Sequence, residues 1–311
     1  MASVFELGPS PSEAAEEGVP SRRSYWRKLA SHPFFWPGAI LVVLVVCVAV
    51  FAPEIATRPY WQIYPDTGLS ATGGPLPPQW TAKGFLLGTD WLGRDVFSRL
   101  VFSARISLQV GIFASVISGV AGLLIGLVSG YFGGWVDMVL MRFTDVMMGF
   151  PALFFLILLI SLIGPNVEVI YLTMGLLGWP SIARFARGQV LSVRKETYVD
   201  AAQASGGSHA RIILRHIMPN IITPVVVLVS MSISGNIIYE STLSFLGIGV
   251  PDPIPSWGKM VSGGLSYLYV APTLVIFPIL AISVTTIGFN LLAEAFNATA
   301  NPRSVRGGHR G

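Results

Sequence analysis

The chain has 311 residues and a formal net charge of +4; 52% of its residues are hydrophobic and only 12% are charged, and the mean hydropathy is +0.65. Soluble domains carry about 25% charged residues, so this composition excludes an ordinary soluble domain and points to an integral membrane protein. The small positive balance gives no reason to expect a nucleic-acid partner, and a single cysteine, Cys47, excludes an internal disulfide.

Residues 1–20 scatter Glu6, Glu13, Glu16 and Glu17 among Pro, Gly and Ser. They lack the basic start and apolar core of a signal peptide, so they read as a disordered tail and the first apolar run as a retained anchor. A spanning helix needs about 20 mostly apolar residues. Six stretches qualify, at 34–53, 106–130, 146–164, 167–183, 221–247 and 271–293. The fourth carries Trp179-Pro180, where a kink is expected, and Arg184 follows it. The expected fold is an all-α polytopic membrane protein with six transmembrane helices. Its organisation reads as a cytoplasmic tail at 1–33, a first helix at 34–53, an external segment at 54–103, a five-span core at 104–296 and a cytoplasmic tail at 297–311.

Basic residues orient these spans. Arg22, Arg23, Arg27 and Lys28 precede the first span, Arg184, Arg187, Arg194, Lys195, Arg211 and Arg215 follow the fourth, and Arg303, Arg306 and Arg310 follow the sixth. Six spans put all three groups on one side, and the positive-inside rule makes that side cytoplasmic, with both termini and the 190–220 loop. The second span has two rows of small residues at four-residue spacing: Ser118, Gly122, Gly126 and Gly130, and Gly111, Ser115 and Gly119. Such rows let helix backbones approach closely, within the subunit or at a seam with another. Residues 54–87, rich in Pro, Gly, Trp and Tyr, are too short and too poor in apolar residues to have a core of their own.

In the next stretch, "LGTDWLGRDVFSRL" at 87–100, Asp90 is placed to cap a helix from about Trp91, and Asp95 and Arg99 are spaced to pair. The shared face of Val96, Leu100 and Val101 predicts a helix along the outer membrane surface before the second span. With Arg94, these residues form an external elbow, either structural or a contact for a substrate-delivery protein.

The loop "YVDAAQASGGSHARIILRHIMPN" at 198–220 has no run long enough to cross a bilayer. Asp200 to Ser205 predicts a short helix with a surface of small residues, Ala201, Ala202 and Ala204. Gly206-Gly207 stops it, Ser208 caps a second helix through Arg211, and Pro219 ends that helix before the fifth span. A smooth helix tied to two spans is a coupling device in mechanical terms, and helix–turn–helix pieces of this kind also occur in many membrane loops.

"DAAQASGG...RIILRHIMPN" resembles the EAA loop of ABC-importer permeases, with Asp200 where Glu is commoner and Met218 where Leu is usual. Further stretches resemble the type C permease of dipeptide and oligopeptide importers: the 87–100 motif, "ARISL" at 104–108, "GYFGGWVDMVLMRFTDV" at 130–146, "ESTLSFLGIGVPDPIPSWGKM" at 240–260 and "FPILAISVTTIGFNLLAEAF" at 277–296. The resemblance covers residues 25 to 303 and implies a type I ABC-importer permease fold. It implies a second homologous permease, two cytoplasmic ATPases and an external peptide-binding protein as partners, with membrane lipids around them. It gives Asp200, Ala201, Ala202 and Gly206, within a loop that includes Arg211 and Pro219, the role of inserting into a cleft of the ATPase. ATP and magnesium would be used by those partners, and no cofactor is expected on this chain. Nickel-chelate importers share the motifs, so that cargo is an alternative to peptides.

Glu240, inside the fifth span four residues after Asn236, is costly in hydrocarbon and must face protein or water. It either lines the substrate pathway with Asn236 or anchors helices. Arg142 and Asp145, one turn apart, predict a local ion pair or a gate element, and Asn290 is placed to bond across helices. His209 and His216 without a third ligand make a poor metal site. No P-loop, Ser-His-Asp, H-E-x-x-H or paired-cysteine pattern occurs, so the chain is expected to hydrolyse nothing itself. A membrane-embedded enzyme lacks a nucleophile or metal cluster, and a self-sufficient secondary transporter lacks evident inverted repeats.

Overall fold

The computed structural model describes residues 22–79 and 84–300. The acidic tail at 1–20 and the basic group Arg303, Arg306 and Arg310 lie outside the described residues. Within them the regular elements are all helical. In chain order they include α1 (Arg22–Ala30), α2 (Phe35–Val50), α3 (Val96–Phe132), α4 (Gly134–Gly149), α5 (Ala152–Ile163), α6 (Val167–Val193), α7 (Thr197–Ala204), α8 (His209–Ile212), α9 (Met218–Phe245), α10 (Trp257–Gly264) and α11 (Thr273–Ala300), with short helical turns at Ala52–Ile55, Ile213–Ile217 and Leu265–Tyr267.

Among the described residues, four helical runs are long and apolar enough to cross a membrane: Val96–Phe132, Val167–Val193, His209–Phe245 and Thr273–Thr299. The predicted third span at 146–164 falls mainly on α5, which meets α4 at 83°, and the bent pair of α4 and α5 makes a fifth span if taken as a unit. The predicted first span is apolar but only 16 residues long in α2. That is about 24 Å against a hydrocarbon core of about 30 Å, so the count of six is met only with one short and one bent member.

Three boundaries differ from expectation. The elbow and the second span are one helix, so α3 has 37 residues and no break near residue 103. Asp95 caps it: its carboxylate accepts from Ser98 N at 2.9 Å and Ser98 Oγ at 2.6 Å. Asp90 instead closes a turn, accepting from Leu92 N and Arg94 N at 2.9 Å each, and Gly93 at φ +77° prevents a helix from starting at Trp91. The fourth span runs on through Pro180 to Val193. Pro219 does not end a helix either. Residues Ile213–Ile217 form a π turn that carries α8 into α9, and the helix passes Pro219 directly after this turn.

The two small-residue rows of α3 serve two neighbours inside the subunit. A Cβ on Gly122, Gly126 or Gly130 would come within 2.6–2.7 Å of Ile182, Ala186 or Val190 of α6. One on Gly111 or Gly119 would come as close to Ile237 or Val229 of α9. Tight internal packing is therefore what these rows do, with α3 wedged between α6 and α9. Gly38 of α2 and Gly288 of α11 make a similar close crossing. As expected of Asn290, it bonds across helices, accepting from Ser234 Oγ at 2.5 Å.

Candidate functional site

The loop between the fourth and fifth spans builds a handle. In α7 the side chain of Val199 is fully buried and Ala202 half-buried, while Asp200, Ala201, Gln203 and Ala204 are exposed. The outward surface of small residues is thus Ala201, Ala204 and Ser205, and Ala202 belongs to the inner side. Asp200 lies in the first turn, where a carboxylate favours the helix dipole. The helix ends in a paired closure: Gly206 N donates to Gln203 O at 3.0 Å and Gly207 N to Ala202 O at 3.1 Å. Gly206 takes φ +75°, which side-chain-bearing residues adopt at a cost. Ser208 then caps α8, its Oγ accepting from Arg211 N at 3.4 Å, and the Arg211 side chain stays exposed, as does Pro219.

Beneath the handle lies a closed apolar cluster. Leu127 and Tyr131 of α3, Val190 of α6, Val199 of α7, Ile212 of α8, Ile217 of the π turn and Ile221 of α9 meet there, all buried, with Ala202 against them. Tyr131 OH and His209 Nδ1 lie 2.8 Å apart at its rim. The cluster packs α7 directly against the ends of three spans, so α7 is not a slack loop.

Glu240 is enclosed by the chain itself. It has no exposed surface, and its carboxylate accepts from Ser107 Oγ of α3 at 3.1 Å and Ser244 Oγ at 2.7 Å. The anchor reading therefore describes its surroundings better than the pathway reading. Asn236, half-buried, donates to Ser115 Oγ at 2.8 Å. Both residues fasten α9 to α3.

The external elbow is likewise turned inward. Asp90, Arg94, Asp95 and Arg99 are all at most 4% exposed. Arg94 Nε donates to Asp90 Oδ2 at 2.7 Å, and Arg99 Nε approaches the same oxygen at 3.5 Å. Arg99 thus pairs with Asp90 and not with Asp95, which is held by Ser98 and by Thr57 Oγ1 at 2.9 Å. From this corner Arg94 reaches Asp252 at 3.4 Å, and Lys259 reaches the same carboxylate at 2.9 Å. Burial pushes the Asp252 carboxyl up, but the Lys259 ammonium and the Arg94 guanidinium outweigh it and hold it below the usual carboxylate range.

At the same end of the spans as the handle, α4 is pinned to α6 by charge. Arg187 Nε and Nη2 donate to the two oxygens of Asp137 at 2.6 Å each, and Arg184 donates to Asp145. The predicted Arg142–Asp145 contact is present at 3.5 Å. The pairing of Asp137 with Arg187 joins residues 50 apart, and no spacing rule exposes it.

Comparison with known proteins bears on this arrangement. Residues 122–306, which include the handle, the apolar cluster and the α4–α6 clasp, match the family described as binding-protein-dependent transport system inner membrane component. The chain belongs to this family. It is 32% identical over 301 residues, 96% of both chains, to a protein of Alkalihalophilus pseudofirmus named dipeptide transport system permease protein DppC. It is 36% identical to the oligopeptide transport system permease protein OppC of Haemophilus influenzae, covering 94% of this chain and 93% of that one. It is 33% identical to the glutathione transport system permease protein GsiD of Pectobacterium atrosepticum, covering 90% and 91%. A solved structure of an amino acid ABC transporter with histidines shares the fold with a TM-score of 0.50 at 17% identity, over 64% of this chain and 93% of that one. The chain is accordingly a multi-pass inner-membrane permease subunit, a component of an ABC transport system.

Proposed function

We propose that this permease is the type C membrane subunit of an ATP-driven importer of di- or oligopeptides. It forms the translocation pathway with a second homologous permease. Two cytoplasmic ATPases grip its α7 handle, and an external peptide-binding protein delivers cargo to its outer side. The relatives' names support the cargo class, since they are called dipeptide, oligopeptide and glutathione transport permeases. The basic groups around the handle favour a cytoplasmic position for it and for both termini. ATP and magnesium act on the partner subunits, and closure of the ATPases drives α7, with α6 and α9 rocking on the buried cluster. The energy comes from the different affinities of ATP for two states of the assembly.

The observation that carries this reading is α7 itself: a bare surface of Ala201, Ala204 and Ser205 standing on a closed apolar cluster common to three spans. The test uses the assembled complex in a background where Cys47 is replaced by Ala. A cysteine at Ala201 is expected to cross-link to the ATPase, and Ala204→Trp to reduce peptide uptake more than about tenfold with unchanged amounts of folded subunit, since exposed sites rarely affect stability. Absence of the cross-link together with full uptake in Ala204→Trp would overturn the coupling role.

A further inference from the structure

Helix α4 carries two different flanks. Trp135, Val139 and Val146 form one stripe, each more than half exposed, and it suits lipid, with Phe143 beside it stacked on Trp179 of α6. The other flank holds Asp137, Met141 and Asp145, with Arg142 at its edge. It faces α6 across a cleft of about 460 Å³ that Met138, Arg184 and Arg187 also line.

The charges in this cleft are unequally used. Asp137 and Arg187 saturate each other in a two-pronged pair with side chains only 19% and 33% exposed. At the mouth, Asp145 alone serves both Arg184 and Arg142, and the Arg142 side chain is 81% exposed with a single contact at 3.5 Å. One positive charge is left over there, beside a carboxylate that is 43% exposed. Arg184 lies nine residues before the end of α6 at Val193, about 14 Å along the axis, which places it within the inner half of a span. Charge exposed at that depth faces water or protein, not lipid. With the apolar stripe taking the lipid side, the charged flank is left for the aqueous pathway.

We propose that this cleft is a peptide-binding site on the translocation pathway, a proposal that rests on the peptide-importer reading. Arg142 and Arg184 receive the terminal carboxylate, and Asp145 receives the terminal ammonium. These two groups are common to every peptide, and a guanidinium fork suits a carboxylate. Met138 and Met141 meet the side chains that differ, since their flexible thioethers adapt to varied shapes. A site for anionic lipid headgroups would be uniformly basic; Asp137 and Asp145 make this one a match for a zwitterion.

The experiment uses the full complex, with its ATPases, partner permease and binding protein, in lipid nanodiscs. A photoreactive p-benzoylphenylalanine replaces Met138, and tritiated trialanine is the probe. Capture of the probe on this subunit is expected, with displacement by unlabelled trialanine. Arg142→Gln should weaken capture about tenfold, the loss of one charge-assisted bond, without affecting the amount of folded complex. Capture of trialanine amide, which lacks the carboxylate, should be equal with and without that substitution, an outcome that a merely structural Arg142 does not produce. If the complex imports trialanine but the cleft captures only phospholipid or the partner permease, or if Arg142→Gln weakens the amide equally, the site is refuted and the importer reading stands. If the complex imports no small peptide, both fall.

Discussion

The corner at 88–99, which leads into α3, and the handle at 197–208, which joins α6 to α9, are both short, turn-rich pieces, yet they treat their polar groups in opposite ways. At the corner, Asp90, Arg94, Asp95 and Arg99 are buried and pair among themselves or with nearby hydroxyls. At the handle, Asp200, Gln203 and Arg211 point outward and the internal contacts are apolar. The corner fixes geometry through partners that are expensive to separate. The handle keeps its polar surface outward and its base apolar and packed, an arrangement that suits the gripping proposed for it. A charged loop is therefore no guide to function by itself: what matters is whether the charge is answered within the chain.

The most severe way to break this contrast is Asp90→Ala. Two buried guanidiniums would lose their common carboxylate, and removal of one partner from a buried ionic set costs about 3–5 kcal/mol. The expected result is little folded subunit in the membrane and a sharply lower unfolding temperature in detergent. A variant that folds normally would show that the corner is hydrated and loosely held.

Next in size is Gly206→Val. A side chain at φ +75° costs roughly 1–2 kcal/mol and works against the paired closure of α7. Because the strain is confined to the handle, global unfolding should change little while peptide-stimulated ATPase activity of the complex falls. Equal losses of stability and activity would mean that the handle and the core unfold as one unit.

These two sites also show what the sequence reveals and what it hides. The glycine pair and Ser208 are local signals, and the closure of α7 and the cap of α8 follow from them directly. The spans are legible for the same reason, since hydropathy sums over neighbours in the chain. What escapes is whatever depends on distant partners. Asp90 and Asp95 look alike as caps, and only Gly93, three residues after Asp90, hints that the first is a turn. Arg99 is spaced for Asp95 but pairs with Asp90, while Asp95 turns its Oδ2 to Thr57 and Ser98. Pro219 reads as a helix end, yet the π turn before it allows the helix to pass. The inward turn of Ala202 depends on the cluster of Leu127, Val190 and Ile217, residues from three other elements.

The smallest expected effect sharpens the comparison at its margin. Asp252 extends the corner outward: its side chain is 65% exposed and is clasped by Lys259 and Arg94. A pair this open is screened, so Asp252→Asn should lower stability at pH 7 by less than about 1 kcal/mol. The sign of its pH dependence follows from the direction of its shift. Its folded carboxyl lies below the usual range, so its contribution is complete above the unfolded value of about 3.9 and is lost as pH falls through the lower folded value. The difference in unfolding temperature between the native chain and Asp252→Asn should therefore be constant from neutral pH down to mild acid and should vanish only in strong acid. A difference that disappears near pH 6 would assign the effect to another group and leave Asp252 outside the corner's ionic set.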